Sequence, residues 1–433
     1  MKKFLFSLLL AATSLTANAQ WIRVWNGGES TRHSIIDATS IPYATAGSTL
    51  TIGETNYSTA AIDSITVVNP VTIIWKGNTA YVDIPETAEG VTASVIGGDV
   101  IITNTCTTVE HEFILQGTST AGSLTYNGEY KTKFHLNGVN LTSNSGAAID
   151  IQCGKRIDVI LEAGTTNTFS DYAEGEQKAA FNCQGHLEIA GSGTLNISGN
   201  ARHALRSNEY LMLKKSTGTI NIVKAASDGI HAGEYFLMNG GTLTLGTIAG
   251  DCLQVETDDS SEEELNGQFI MNGGSINVTM SSQDSKGIRL DANAAIPSIV
   301  PHMQLLDGTI TVDLPATALG SKAIASDGDL TIGTKTTSPT INVTVAAGTY
   351  TDPTTKEEDR ATGLKAEKTL TIAGGKTTVN ATGYMSRGVR ANTLTATGGS
   401  LTVTNTGSKS QGIKLDKAFV SGQGGTVTGS FKY

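Results

Sequence analysis

Small and apolar residues recur with a regular period along most of the chain, and this pattern predicts the fold. A step from a small residue to an apolar one marks each repeat, and we call the apolar residue of the step the anchor. The anchors are Ile149, Phe181, Leu205, Ile230, Leu253, Ile288, Ile324, Leu364, Val389 and Ile413. Five of the nine gaps between consecutive anchors are 23–25 residues long, and the longer gaps contain insertions. Within a repeat, short strand-like runs are separated by Gly and Asn, which is typical of tight turns.

A second marker stays in phase with the anchors. It consists of a glycine followed by alternating apolar residues, and it starts at Gly193, Gly218, Gly241, Gly274, Gly308 and Gly399. Two markers in fixed phase are typical of a β-solenoid, in which each coil buries its apolar face against the neighbouring coils. The pattern therefore predicts an all-β protein, a parallel β-helix with about 24 residues per coil.

Because side chains alternate between the two faces of a strand, the residues after each anchor can be sorted. The anchor and the residue two positions later point inward. The residues one position after the anchor point outward: Asp150, Asn182, Arg206, His231, Gln254, Arg289, Ala325, Lys365, Arg390 and Lys414. The residues three positions after the anchor also point outward: Gln152, Gln184, Asn208, Gly233, Glu256, Asp291, Asp327, Glu367, Asn392 and Asp416. The first outward row is mostly cationic or amide, and the second is mostly anionic or amide.

The outer parts of the chain differ from the repeats. Residues 1–19 form a predicted signal peptide, since Lys2 and Lys3 precede a short apolar run and Ala17-Asn18-Ala19 is a cleavage motif before Gln20. The apolar run is too short to span a bilayer, so we expect an exported protein without a transmembrane segment. Residues 20–86 contain all three tryptophans and no repeat, which indicates a β-rich lead-in or cap. Residues 87–433 are assigned to the β-helix, with insertions at 257–267, 292–303 and 346–360.

Net charge and cysteine spacing limit the function classes. The formal net charge is -10 and the isoelectric point is about 5.2, which argues against nucleic acid as a partner. The spacing of Cys106, Cys153, Cys183 and Cys252 fits no zinc motif. Export permits a disulfide between Cys153 and Cys183, and the alternative is that these cysteines are small buried side chains.

The cationic outward row is the first candidate site. The candidate carbohydrate-binding residues are Arg206, His231, Arg289, Lys365, Arg390 and Lys414. Stacked coils place equivalent residues roughly 4.8 Å apart. Lys365, Arg390 and Lys414 would thus form a continuous cationic ladder suited to an anionic polymer, and arginine recognises planar carboxylates such as those of uronic acids. The alternative is a solvated sheet with surface ion pairs of little energetic consequence.

A cluster of carboxylates is the second candidate site. The candidate metal ligands are Asp228, Asp251, Glu256, Asp258, Asp259 and Asp291. Calcium binds six to eight oxygen atoms, which such clustering could supply. The sequence contains no EF-hand or calcium-binding nonapeptide, and the alternative is an acidic solvated loop.

Aromatic residues and catalytic motifs do not indicate a further candidate site. The outward rows contain no aromatic residue, and Tyr126, Tyr130, Tyr172, Tyr210 and Tyr235 are interpreted as scattered. We find no nucleophile elbow, phosphate loop or zinc motif, so no residue is assigned a catalytic role.

Several segments resemble a known family. These are Leu136–Thr142, Gly146–Arg156, Gly185–Ile197 and Asn239–Leu245. They are similar to secreted carbohydrate-binding domain proteins with a polysaccharide-lyase-like β-helix, and the resemblance covers residues 90–420. It implies a right-handed parallel β-helix, bound calcium, affinity for plant cell-wall polysaccharide of the polygalacturonate type, and no lyase activity.

The sequence thus predicts an exported, non-catalytic protein that binds acidic polysaccharide with the help of Ca²⁺. One alternative is a calcium-dependent pectate-lyase-like enzyme, for which Lys365, Arg390 or Lys414 could serve as the base. The other is a surface or adhesin-type solenoid whose charged rows only maintain solubility.

Overall fold

A computed structural model describes residues 21–26, 29–34, 49–52, 55–258, 264–422 and 424–433. Every regular element in this part of the chain is a β-strand. The chain divides into two compact units, one extending to Val71 and including Ile84–Glu89, the other comprising Thr72–Asp83 and Gly90–Tyr433. Within the described residues, no helix is long and apolar enough to cross a membrane. The predicted signal peptide and its cleavage site lie outside the described residues.

The first unit is a small antiparallel β-structure. Its strands are Trp21–Asn26, Glu29–Ser34, Thr49–Ile52, Thr55–Ser58 and Ser64–Val68. The first strand pairs with the second and the fifth, and the third pairs with the fourth. Ile22, Val24, Ile52 and Tyr57 form its buried core.

The second unit is a parallel β-helix with three faces. The strands of the anchor face are Gly98–Asn104, Gly122–Gly128, Ile149–Gln152, Ala179–Cys183, His203–Ser207, Ile230–Ala232, Leu253–Val255, Lys286–Leu290, Lys322–Ser326, Thr362–Ile372, Arg387–Ala396, Gln411–Ser421 and Phe431–Lys432. The second face comprises Glu112–Ser119, Thr132–Thr142, Ile157–Leu161, Leu187–Ala190, Leu211–Leu213, Tyr235–Met238, Gln268–Met271, His302–Leu305 and Asp329–Ile332, and it continues in the C-terminal halves of the last three long anchor-face strands. The third face comprises Thr166–Ser170, Thr194–Gly199, Thr219–Ala225, Thr242–Ile248, Ser275–Thr279, Thr309–Leu314, Thr340–Val345, Lys376–Ala381, Ser400–Asn405 and Thr426–Thr428.

The parallel ladders run through a continuous 35-stranded sheet. At its N-terminal end the pairing is antiparallel, between Val71–Lys76 and Thr79–Asp83 and between Val91–Ile96 and Gly98–Asn104. A separate hairpin joins Thr349–Thr351 to Glu358–Arg360 inside the third insertion. The prediction of an all-β parallel helix is confirmed.

Anchor residues form the core of the helix, as predicted. Each anchor pairs in register with the anchor of the next coil, from Ile149 with Phe181 through to Val389 with Ile413. All ten anchors are at most 2% exposed, because coil stacking covers them on both sides. Cys183 and Ser207, which occupy the position two residues after an anchor, are fully buried. Cys153, Cys183 and Cys252 are buried and form no disulfide.

The marker glycines are required by the close approach of neighbouring coils. A Cβ atom on Gly218 would lie 2.2 Å from the carbonyl oxygen of Gly193, and one on Gly193 would lie 2.4 Å from that of Glu162. These separations are far below van der Waals contact, so only glycine allows the turn between the second and third faces to stack.

Candidate functional site

The outward row of the anchor face is continuous in the structure. Strand register pairs Asp150 with Asn182, Asn182 with Arg206, Arg206 with His231, and so on along the row to Arg390 with Lys414 and Lys414 with Lys432. The six candidate carbohydrate-binding residues thus occupy one line of equivalent positions on successive strands. Gln254 and Ala325 separate them into groups.

The C-terminal group of this row forms a partly exposed cationic ladder. Lys365, Arg390 and Lys414 are stacked on consecutive coils, and their side chains are 22%, 37% and 24% exposed. Lys365 pairs with Glu367 at 2.6 Å, whereas Arg390 and Lys414 share Asp416 at 3.6 and 3.3 Å. Both carboxylates are themselves exposed, so these ion pairs are weak and can exchange for a ligand.

Arg289 differs from this ladder because two carboxylates hold it in place. Its Nη1 donates to Asp251 Oδ2 at 2.8 Å, and its Nε donates to Asp291. Gln254 Nε2 donates to the other oxygen of Asp291 at 2.8 Å. Burial and the neighbouring carboxylate of Asp327 raise the pKa of Asp291, although Arg289 and Gln254 oppose the shift.

Two adjoining depressions lie on the anchor face near the middle of the helix. One, of about 220 Å³, includes Arg206, Asn208 and His231 in its wall. The other, of about 300 Å³, includes Arg289 and Asp327. Together we call them the central cleft; the residues common to both are Glu256, Thr257 and Asn293.

Two of the three insertions form one wall of the central cleft. Residues 257–258 of the first insertion and residues 292–294 of the second line it. Asn293 Nδ2 donates to the carbonyl oxygen of Thr257 at 3.0 Å, which joins the two insertions to each other. Both follow anchor-face strands, whereas the third insertion precedes the strand Thr362–Ile372.

The predicted calcium ligands are distributed among separate contacts. Asp251 and Asp291 contact Arg289, and Glu256 approaches His231 at 3.5 Å. Asn266 donates to the backbone oxygen of Asp258 and accepts from its backbone nitrogen, closing the base of the first insertion. Asp259 lies outside the described residues. The participation of calcium stays a prediction.

Asp228 lies instead between two histidines. His203 Nδ1 is 3.2 Å and His231 Nδ1 is 3.6 Å from Asp228 Oδ2, and the imidazole centroids are 4.9 Å apart. The other oxygen, Asp228 Oδ1, accepts the backbone N–H of Asp251 at 2.8 Å. Burial lowers the pKa of His231, but the carboxylates of Asp228 and Glu256 outweigh burial and raise it to about 9. The two histidines hold the pKa of Asp228 below its usual range despite burial.

The interpretation of the tyrosines as scattered is wrong for Tyr210 and Tyr235. Their rings stack at 4.5 Å, and His186 stacks on Tyr210 at 4.6 Å, because all three residues lie five positions after an anchor. Tyr210 and Tyr235 are only 8% and 4% exposed. They support the turn after the anchor face and do not form a flat platform for a sugar ring.

Sequence reasoning missed three polar residues of this region. His203 lies two positions before its anchor, the same position that Asp228 occupies in the next coil, and this shared position is the signal that could have found it. Asn208 lies on an outward row to which the pattern assigned no role. Asn293 belongs to an insertion, where no repeat register applies, so only the folded loop reveals it.

Comparison with known proteins identifies the family. The sequence matches the family described as carbohydrate-binding domain-containing protein over residues 96–412. No curated protein matches at a significant level. A solved structure described as the polysaccharide lyase-like protein from C. thermocellum, gadolinium derivative, is 18% identical, with a TM-score of 0.46, over 63% of this chain and 96% of that chain. Since the family match spans well over half of the chain, the protein belongs to the carbohydrate-binding domain-containing protein family.

Proposed function

We propose that the chain is an exported, non-catalytic protein that binds an anionic, polygalacturonate-like polysaccharide along its anchor face. The family match supports carbohydrate as the ligand class. The observation that carries the proposal is the partly exposed ladder of Lys365, Arg390 and Lys414, in which three cations stand on consecutive coils. Its regular spacing suits a polymer that presents one carboxylate at regular intervals.

The charge balance of the ladder favours an anionic ligand. Lys432 extends the row by one more coil, since it pairs in register with Lys414. Among the described residues, this group of four cations, Lys432 included, forms ion pairs with two carboxylates, those of Glu367 and Asp416. Like charges about 4.8 Å apart repel one another, and a bound polyanion relieves this repulsion.

The central cleft accounts for the calcium part of the proposal. Its lining carries four carboxylates, those of Glu256, Asp258, Asp291 and Asp327, beside the basic residues Arg206, His231 and Arg289, and Arg289 is already held by Asp251 and Asp291. Oxygen donors of this kind suit calcium, but Asp291 is fully engaged by Arg289 and Gln254. We therefore propose that Glu256 and Asp327 hold calcium together with carboxylates of the polymer.

Calorimetric titration with polygalacturonate oligomers tests the proposal. The protein is titrated with calcium present and after chelation, while ultraviolet absorbance is followed in the same samples. We expect binding heat that increases with calcium and no new absorbance. The triple variant Lys365→Ala, Arg390→Ala, Lys414→Ala should lose at least about tenfold in affinity, because each charge-assisted contact contributes on the order of 1 kcal/mol.

A matched variant controls for net charge. Lys335→Ala, Lys368→Ala and Lys376→Ala together remove the same charge from exposed positions outside the outward row, and we expect little change in affinity. Equal losses in both variants would mean that the ladder is not the binding surface. New ultraviolet absorbance would replace the binding function with a lyase. Absence of heat with this polymer would end the proposal for uronic-acid chains.

A further inference from the structure

Three nitrogen and oxygen donors converge at one point beside the central cleft. His203, Asp228 and His231 each offer one ligand atom, and these atoms all lie within 4.8 Å of one another. The three side chains are only 17%, 13% and 12% exposed, so the packing of two neighbouring coils fixes their positions.

Two of the three separations between these atoms are close to the edge of a tetrahedral site. Zinc binds imidazole nitrogen and carboxylate oxygen at about 2.0–2.1 Å, and ligands at the corners of a tetrahedron are then about 3.4 Å apart. His203 Nδ1 and His231 Nδ1 lie 3.2 and 3.6 Å from Asp228 Oδ2. Since the third separation is also below 4.8 Å, a modest adjustment of the side chains lets one ion contact all three atoms.

In the cluster, the Nδ1 atoms of His203 and His231 both face Asp228 Oδ2. The backbone N–H of Asp228 donates to His203 Nδ1 at 3.3 Å, so this nitrogen accepts a hydrogen bond through its lone pair. His231 Nδ1 is buried without a hydrogen-bond partner. When His231 is neutral, its Nδ1 can present a lone pair towards Asp228 Oδ2, so a bound cation replaces the proton that His231 otherwise carries.

Surrounding groups hold the ligands in the orientation that metal binding requires. Metal-bound histidines usually donate their other ring N–H to a carboxylate, and Glu256 Oε2 lies 3.5 Å from His231 Nε2. Asp228 Oδ1 is held by the backbone N–H of Asp251, which leaves Oδ2 for the ion. Glu256 therefore fixes His231, and the backbone of the next coil fixes Asp228.

We propose that His203, Asp228 and His231 bind a divalent transition-metal ion of the zinc type. Two imidazole nitrogens and one carboxylate oxygen are typical of zinc and cobalt, whereas calcium prefers oxygen ligands only. Three protein ligands leave a fourth position for water or a ligand oxygen. The site shares Glu256 with the calcium position proposed above, but its test uses the metal alone and does not depend on polysaccharide binding.

Cobalt and zinc titrations of the full mature chain, without a histidine tag and after dialysis against a chelator, test the site. We expect one Co²⁺ per chain with the visible absorbance of tetrahedral cobalt, displaced by Zn²⁺ and not by excess Ca²⁺. The double variant His203→Gln, His231→Gln should lose affinity at least about 100-fold, and Glu256→Gln about tenfold. Asp228→Asn preserves the acceptor for Asp251 and should also weaken binding.

Two measurements keep the result unambiguous. Circular dichroism and thermal unfolding of the glutamine variants must match the metal-free wild type, which shows that they fold. His186→Ala is the matched control, because His186, Glu209 and Glu234 form the other cluster of this kind in the described residues. Unchanged cobalt binding in the double variant, loss of it in His186→Ala, or no binding at all would overturn the proposal.

Discussion

Arg289 Nη1 donates to Asp251 Oδ2 at 2.8 Å and thereby joins two neighbouring coils of the helix. The same guanidinium contacts Asp291 through Nε. Asp251 and Asp291 are only 7% and 13% exposed in their side chains, so both carboxylates depend on Arg289 for compensation. This residue of the outward row therefore stabilises the fold, whereas the ladder near the C-terminus pairs with exposed carboxylates that a ligand can replace.

Replacing Arg289 should cost far more stability than replacing Arg390. Arg289→Ala leaves two largely buried carboxylates without their cation, and we expect a loss of roughly 2–4 kcal/mol in the free energy of unfolding. Arg390 pairs at 3.6 Å with an exposed carboxylate, so Arg390→Ala should cost less than about 1 kcal/mol. Denaturant unfolding of both variants measures the difference, and similar losses would contradict this assignment.

A marker glycine should tolerate no side chain. Gly218→Ala would bring a Cβ atom to 2.2 Å from the oxygen of Gly193, so we expect a loss of at least about 2 kcal/mol. Gly146 is the matched control, because a Cβ atom added there would meet no atom within 4 Å beyond its chain neighbours. Gly146→Ala should stay within about 1 kcal/mol of the wild type in the same denaturant experiment. Equal effects would mean that the coils can separate at this turn.

Lys322 should destabilise the protein near neutral pH. Burial lowers its pKa below the ordinary 10.5, more strongly than Asp359 and Asp284 raise it. The native state therefore binds this proton less tightly than the unfolded chain, and the resulting penalty is present at pH 7 and fades as the pH rises from the lowered pKa towards 10.5. Lys322→Met should stabilise the protein by about 1 kcal/mol at pH 7, because the two aspartates are exposed and need no partner.

Thermal unfolding between about pH 7 and pH 10.5 measures this effect. The advantage of Lys322→Met over the wild type should shrink as the pH rises. Lys368→Met, at an exposed lysine, is the control and should differ from the wild type by a small amount that does not change with pH. Destabilisation by Lys322→Met at neutral pH would show that the ion pairs outweigh the cost of burial.

Removing one carboxylate of the central cleft should weaken the calcium dependence of polymer binding. Asp327 lines the cleft beside Asp291, and a polyanion that enters without calcium is repelled by both. Asp327→Asn should raise calcium-free affinity for polygalacturonate oligomers about two- to fivefold, equivalent to roughly 0.4–1 kcal/mol. Glu176→Gln removes a charge at an exposed position elsewhere and should leave the calcium dependence unchanged. Full calcium dependence in Asp327→Asn would exclude this residue from the binding surface.

The repeat pattern was sufficient to predict which residues share a row. Ile230 and Leu253 are both inward because each coil must bury an apolar residue at the same point, and their register in the structure follows directly. The ladder of Lys365, Arg390 and Lys414 was predictable for the same reason, since residues at equivalent positions stack when coils stack. The glycine markers are recognisable as a pattern, but the close approach that requires them is visible only in the folded turn.

The sequence pattern could not predict contacts between residues that occupy different repeat positions in neighbouring coils. Asp228 is close in sequence to the acidic residues that follow it, yet it contacts His203 and His231. The pairing of Arg289 with Asp251 is equally hidden, because it joins positions that differ in phase. Such contacts depend on rotamers and on the exact offset between coils.

The sequence by itself determined the parallel coils, the inward row and the line of outward charges, because a stacked repeat must place the same kind of residue at the same point in every coil. The tertiary structure alone decided which of those charges are held by largely buried carboxylates and which pair with exposed ones. It did so because the carboxylates beside Arg289, Asp251 and Asp291, are largely buried in the packing of neighbouring coils, whereas the carboxylates beside Lys365, Arg390 and Lys414 are exposed.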